Sequence, residues 1–426
     1  IERIYETQSS LADIVEAIDE GNIDDTYQNV DRLIDLASET PVVRLVNLIV
    51  NRAIELGASD IHIEPFDSTL KVRYRIDGVL QESDSPPARS TAAVISRIKI
   101  MAKLNIAERR LPQDGRIQLR TQGKQIDLRV STVPVLHGES VVLRVLDKEY
   151  LPLDFASLGF TSAGAKQFLE ILSLPHGVLL VTGPTGSGKT TTLYTALQKL
   201  NTADRKILTV EDPVEYQLNG INQIQVKPQI GLSFANALRS IVRQDPDVIM
   251  IGEMRDLETA GIAVQSALTG HLVLSTLHTN DAGTSITRLL DMGIEDYLVT
   301  STVNGILAQR LVRRLCESCR KPYSPLPEFI DEWQLQNFVT NNDLSLYQAQ
   351  GCGECAHTGY RGRIVIMEFM PITDSIRRLI LAHEDGTTIE QTAIRSGMQT
   401  MKQDGIIKAL NGITTFEEVA RVTQDG

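Results

Sequence analysis

Residues 183–190 read GPTGSGKT, and few stretches of eight residues restrict a fold as tightly. Its glycines allow a short loop to turn backbone N–H groups inward, Lys189 adds a mobile positive charge, and Thr190 places a hydroxyl where a metal ion can use it. Such a loop needs a buried strand before it and, after it, a helix whose N-terminus faces the bound anion. Both flanks are present, VLLV at 178–181 and TTTLYTALQKL at 190–200. The loop Gly183, Pro184, Thr185, Gly186, Ser187, Gly188, Lys189, Thr190 and Thr191 is therefore expected to hold the phosphates of ATP together with Mg2+.

From Pro175 to about residue 310 apolar strands and helical stretches alternate, which predicts a mainly parallel α/β sheet. Ligands of such sheets bind at the C-terminal ends of the strands, and acids cluster there. DVIMIGEMRD ends in Glu253, the best candidate to orient or deprotonate an attacking water, the alternative being a surface ion-pair residue; Asp247 stands before the strand and reads as structural. KILTVEDPVEY brings Glu211, Asp212 and Glu215 around Pro213, a crowding that Mg2+ or its waters would relieve, with a helix N-cap at Asp212 as the alternative. HLVLSTLHTND carries His271 and His278, either of which is a catalytic candidate or a satisfied core histidine.

At 426 residues one core is not enough, and two or three domains are expected. Residues 1–40 carry eleven acidic and two basic side chains and read as an acidic helical linker. Residues 41–146 read as a compact α+β domain, with a helix over 41–57 opened by Pro41 and ended by Gly57, strand-like alternation in 60–80 and 117–145, and an Arg-rich helical segment near 91–107. A linker at 147–160 and a C-terminal domain at 161–426 follow, the last part, 371–426, being helical. Ile1 in place of Met, with no signal sequence after it, reads as a processed or truncated start. The net charge of −12 disfavours a nucleic-acid binder; only 97–144 is locally basic, with ten Lys or Arg against four acids, which reads as a solvated face or as arginines aimed at a phosphate.

The four cysteines form two C-x-x-C pairs, Cys316 with Cys319 and Cys352 with Cys355, separated by 32 residues. Four thiolates suit tetrahedral Zn2+ with no open position, a structural metal stapling an excursion too small to build its own core; a redox pair or unliganded thiols are the alternatives. His357 stands nearby, but the four sulfurs already fill the shell.

These motifs in this order resemble the secretion ATPase superfamily, and most closely the type II secretion ATPase. GPTGSGKT is similar to its Walker A motif, KILTVEDPVEY to its aspartate box, RQDPDVIMIGEMRD to its Walker B motif and GHLVLSTLHTND to its histidine box. SDIHIEP, VRYRIDG, LPQDGRI and DLRVSTVPVLHGESVVLRVL resemble its second N-terminal domain, and the cysteines its tetracysteine zinc subdomain, here 315–363. The resemblance implies a RecA-like P-loop fold and a homohexamer with nucleotide close to a neighbouring subunit. Lys189, Glu253, Glu211 and His278 would then be catalytic, and Arg129, Arg144, Arg239 and Arg243 are placed to contact the γ-phosphate, an ordinary salt bridge being the alternative for each. It implies ATP, Mg2+ and Zn2+ as cofactors, and a cytoplasmic protein peripheral at the inner membrane. Its partners would be the cytoplasmic domain of an inner-membrane secretion protein, met through a front domain that appears absent, and a membrane platform protein; no nucleic acid is expected. A type IV pilus assembly ATPase would carry almost the same boxes, and a nucleic-acid translocase or a scaffold with a dead nucleotide site are the readings from other classes.

Overall fold

The computed structural model describes residues 30–83, 86, 88–121, 123–147, 154–339 and 344–423. Most of the acidic leading stretch, residues 1–29, and residues 148–153 of the 147–160 segment lie outside them. The chain divides into two compact units at residues 150 and 151.

The first unit is a six-stranded antiparallel sheet with helices on one face. Its strands are β1 (Asp60–Pro65), β2 (Leu70–Ile76), β3 (Val79–Glu82), β4 (Gln113–Thr121), β5 (Lys124–Val135) and β6 (Gly138–Asp147), in the order β3-β2-β1-β6-β5-β4. Alternation along each strand sends Ile61, Ile63, Val72, Tyr74, Leu128, Val130, Val141 and Leu143 to one face. Helices α1 (Val30–Ser38), α2 (Thr40–Glu55) and α3 (Thr91–Met101) lie over this unit. Pro41 opens α2, whose Leu45, Val46, Ile49 and Val50 recur at helical spacing and are buried in the same core. Helix α1, within the acidic leading stretch, is packed too, burying Leu33 and Ala37.

The second unit is built on a seven-stranded sheet of β7 (Gly177–Thr182), β8 (Ile207–Glu211), β9 (Asn222–Gln225), β10 (Val248–Ile251), β11 (Leu272–Leu277), β12 (Val303–Leu315) and β15 (Tyr360–Pro371). The order is β15-β12-β7-β11-β10-β8-β9, and every pair is parallel except β12 with β15. The central strands are buried on both faces, as parallel strands between helices must be. Along β7, Val178 and Leu180 enter one apolar core while Leu179 and Val181 enter the other. A short antiparallel pair, β13 (Lys321–Tyr323) with β14 (Leu346–Gln348), lies in the stretch between the two cysteine pairs.

That stretch does not depend on a metal alone for its packing. Leu335 and Leu346 share an apolar cluster with Ile406, Ala409, Phe416 and Val419 of the C-terminal helices. Phe329, Trp333 and Phe416 pack ring to ring with centroids 5.0–6.1 Å apart. The excursion is long enough to present apolar side chains, and the C-terminal helices supply the other half of the core.

Candidate active site

Strand β7 ends at Thr182, and the phosphate loop leads into helix α4 (Lys189–Leu200). Gly183 has φ 145°, and a Cβ there would stand 2.5 Å from the carbonyl oxygen of Gln309 and 2.6 Å from the Ser187 hydroxyl. Gly188 caps α4 with φ 88° in the left-handed region, and among the described residues no side chain makes a capping hydrogen bond there. The positive end of the helix dipole thus adjoins the loop. Thr190 is exposed beside it and Thr191 is half-buried. The ammonium of Lys189 folds back onto the loop, donating to the carbonyls of Gly183 (2.6 Å) and Pro184 (3.0 Å). Burial pushes its pKa down from 10.5 to about 8; the Glu253 charge opposes this and Arg310 adds to it.

Glu253 stands two residues past the end of β10 and is close enough to Lys189 for its charge to act on it. One carboxylate oxygen is 2.5 Å from Arg255 Nη2 and the other 3.5 Å from His278 Nε2. Burial and then Lys189 lower the pKa of His278 below 6.5, against the raising effect of Glu253, so the imidazole is neutral at pH 7. Thr279, next to His278, is tied back to the strand before the loop: its N–H donates to the Thr182 hydroxyl at 3.1 Å. His271 precedes the opposite end of β11, half-buried, where its ring and the Ser266 carbonyl are 2.8 Å apart.

The acids after β8 differ in burial and in partners. Glu211 is buried, and neutral donors satisfy its carboxylate: the Tyr194 hydroxyl, the Thr209 hydroxyl at 2.5 Å and Gln223 Nε2 at 3.1 Å. Asp212 is exposed and Glu215 is half-buried, its N–H donating to the same Tyr194 hydroxyl at 3.3 Å. Strand geometry explains this, because Glu211 is the last residue of β8 and its side chain enters the interior while Asp212 turns away. Among the described residues Asp212 caps no helix; Asp247 accepts the Lys206 N–H at 2.7 Å and closes the other end of β8.

The four sequence-selected arginines fall into two groups. Arg239 pairs with Glu258 and donates to Asn236 at 3.1 Å, while Arg243 donates to the Arg239 carbonyl at 2.6 Å. Among the described residues Glu253 forms its ion pair with Arg255 and has neutral His278 at its other oxygen; neither Arg239 nor Arg243 pairs with it. In the first unit, Arg116, Arg129 and Arg144 are directly opposite one another on β4, β5 and β6, and Asp60 of β1 comes next. Arg144 Nε donates to Asp60 at 3.0 Å. This cationic row lies on the face away from the helices.

The four cysteine sulfurs lie within 4.8 Å of one another. Cys316 to Cys352 is 3.9 Å, and both Cys319 to Cys355 and Cys352 to Cys355 are 3.8 Å. Zn–S bonds of about 2.3 Å at tetrahedral angles place sulfurs about 3.8 Å apart, whereas a disulfide holds them at about 2.05 Å. The N–H groups of Cys352 and Gly359 point at Cys355 Sγ (3.1 and 3.2 Å), as outer-shell donors to a thiolate do. The donor set therefore fits zinc. His357 is exposed and outside the cluster.

Residues 35–421 match the family described as Type II/IV secretion system protein. The chain belongs to that family. It is a P-loop ATPase of the secretion type. It is 64% identical over its whole length to Type II secretion system protein E of Xanthomonas campestris pv. campestris, covering 75% of that protein. It is 51% identical over 98% of its length to the Type IV pilus assembly ATPase PilB of Myxococcus xanthus, again covering 75% of that protein. The fold matches the X-ray structure of the Legionella pneumophila ATPase DotB with a TM-score of 0.67 at 22% identity, covering 90% of this chain and 96% of that one.

Three residues near this secretion-family phosphate loop were not singled out by sequence: Arg255, Arg310 and Gln309. Arg255 stands two positions after Glu253, and that short spacing past a strand was the available signal. Arg310 and Gln309 lie on β12, more than a hundred residues from the loop, where no local pattern marks them.

Proposed function

We propose that this chain is the ATP-hydrolysing motor of a type II secretion system, acting as a homohexamer at the cytoplasmic face of the inner membrane to drive pseudopilus assembly. The observation that carries the chemistry is the convergence of Lys189, Glu253 and His278 at the C-terminal ends of adjacent strands beside an open helix N-terminus. The loop amides and Lys189 hold the β- and γ-phosphates, and Thr190 gives its hydroxyl to Mg2+, which supplies charge neutralisation when bound. Glu253 orients or deprotonates the water, and neutral His278 positions Glu253. Glu211 acts from behind, shaping the strand end that Glu253 adjoins. Arg129, Arg144, Arg239 and Arg243 complete the site from their own and neighbouring subunits as the ring closes, countering charge that grows on the γ-phosphate. Four thiolates hold a structural Zn2+. Among the described residues no helix is long and apolar enough to cross a membrane, so membrane partners, an inner-membrane recruiter and a platform protein, would provide the attachment.

The higher identity to a type II secretion protein than to a pilus assembly ATPase, 64% against 51%, favours export over pilus extension. The test is a chimera in which these residues replace the matching part of the Xanthomonas campestris relative in a strain lacking it. Restored exoprotein export supports the reading. Export that stays absent while the same chimeric strategy restores surface pili in a strain lacking its pilus assembly ATPase would replace it with the pilus reading.

A further inference from the structure

We propose that Gln309, on β12, is a positioning residue that sets the phosphate loop for ATP, an inference that rests on the loop's role in nucleotide binding. A loop that turns its N–H groups toward an anion turns carbonyls back into the protein, and buried carbonyls need donors. β12 pairs with β7 as far as Ala308 opposite Thr182. One residue further, β7 has become the loop, and Gln309 faces it. Gln309 is fully buried. Its Nε2 donates to the carbonyl of Ser187 at 2.7 Å, and its Oε1 accepts from the Thr192 hydroxyl of α4 at 2.8 Å. Its own carbonyl oxygen closes against Gly183, where a Cβ would stand 2.5 Å away. One side chain thus ties the middle of the loop to the first turn of its helix, and one backbone group limits its first residue.

The amide is specified at both ends. The Ser187 atom that meets Gln309 is its carbonyl oxygen, which requires a donor, while the Thr192 hydroxyl is directed as a donor and requires an acceptor. Glutamate keeps the acceptor and loses the donor; alanine loses both. Without the Gln309 donor the buried Ser187 carbonyl is unsatisfied and the loop rotates to find a partner, spoiling the aim of its amides.

The experiment measures Mg-ADP affinity by calorimetry, together with KM and kcat for ATP and the thermal midpoint of the nucleotide-free protein, for wild type, Gln309→Ala, Gln309→Glu and Thr192→Val. Expected are a Kd raised about tenfold in both Gln309 variants and a few-fold in Thr192→Val, with KM rising in step and kcat changing less than KM. A lower thermal midpoint with Kd within twofold of wild type in both Gln309 variants would mean that Gln309 merely packs, and would overturn the proposal. Should the Gln309 variants not fold, a folded Thr192→Val with unaltered Kd overturns it equally. Wild type failing to bind nucleotide would instead overturn the phosphate-loop reading.

Discussion

Nucleotide binding should take up a proton at Lys189, because the free protein holds that ammonium in an environment that disfavours charge. Burial lowers its pKa to about 8, and Glu253 only partly opposes the shift. Phosphates arriving beside it restore the charged form and carry its pKa back to the ordinary lysine value of about 10.5 or above. With the free value near 8, about a tenth of the lysine is neutral at pH 7, half at pH 8 and nine-tenths at pH 9. Proton uptake on binding therefore rises from about 0.1 to about 0.9 across that range, and affinity falls about tenfold, equivalent to ~1.4 kcal/mol. Burial and Lys189 leave His278 already neutral over this range, so it does not contribute. Calorimetric titration with Mg-ADP at pH 7, 8 and 9, in buffers of contrasting ionisation enthalpy, reads the uptake directly. Lys189→Arg should bind less well but without this pH dependence, since a guanidinium does not titrate below about pH 12. A Kd constant within twofold from pH 7 to 9, with binding heats independent of buffer, would refute the reasoning.

Glu253→Gln should lower kcat by about 10²-fold or more while nucleotide still binds, as turnover and a fluorescent-nucleotide titration will show. The purified protein should carry about one zinc per chain by metal analysis, and Cys319→Ser should lose the metal and several degrees of thermal midpoint. Glu418→Ala should destabilise by about 3–5 kcal/mol in chemical denaturation, because it strands Arg313, whose Nη2 is 2.7 Å from a carboxylate that is only 2% exposed. Burial alone would raise the Glu418 pKa, but hydrogen bonds from Arg421 and Arg313 hold it at about 2. Its stabilisation is accordingly full above the ordinary carboxylate range and is lost as pH falls from about 4.5 through 2, so acid unfolding of the variant should show a shallower dependence there.

Features set by short-range chemistry were legible in the sequence. The phosphate loop needs glycines at fixed offsets between a buried strand and a helix, and the C-x-x-C pairs bring sulfurs together by local turns. The mainly parallel sheet followed from alternating strands and helices. What depends on long-range packing was not legible. Whether Glu211 faces a cation or a tyrosine depends on where α4 lies against β8, and Tyr194 and Gln223 come from elsewhere in the chain. Gln309 looks like an ordinary strand residue until β12 is seen to outrun β7 at the loop. The excursion between the cysteines looked too small for a core because the C-terminal helices that complete it, around Phe416, lie far downstream. Arg239 illustrates the same limit, since its pairing with Glu258 depends on two helices meeting.

The most direct test of the ring-motor account is ATP turnover per subunit as a function of protein concentration, with particle mass followed in parallel, for wild type, Glu253→Gln and Arg144→Ala. The account predicts that activity per subunit rises as the ring assembles and that both substitutions abolish it while nucleotide still binds. Turnover independent of concentration, with Glu253→Gln fully active, would contradict both the catalytic assignment and the shared site.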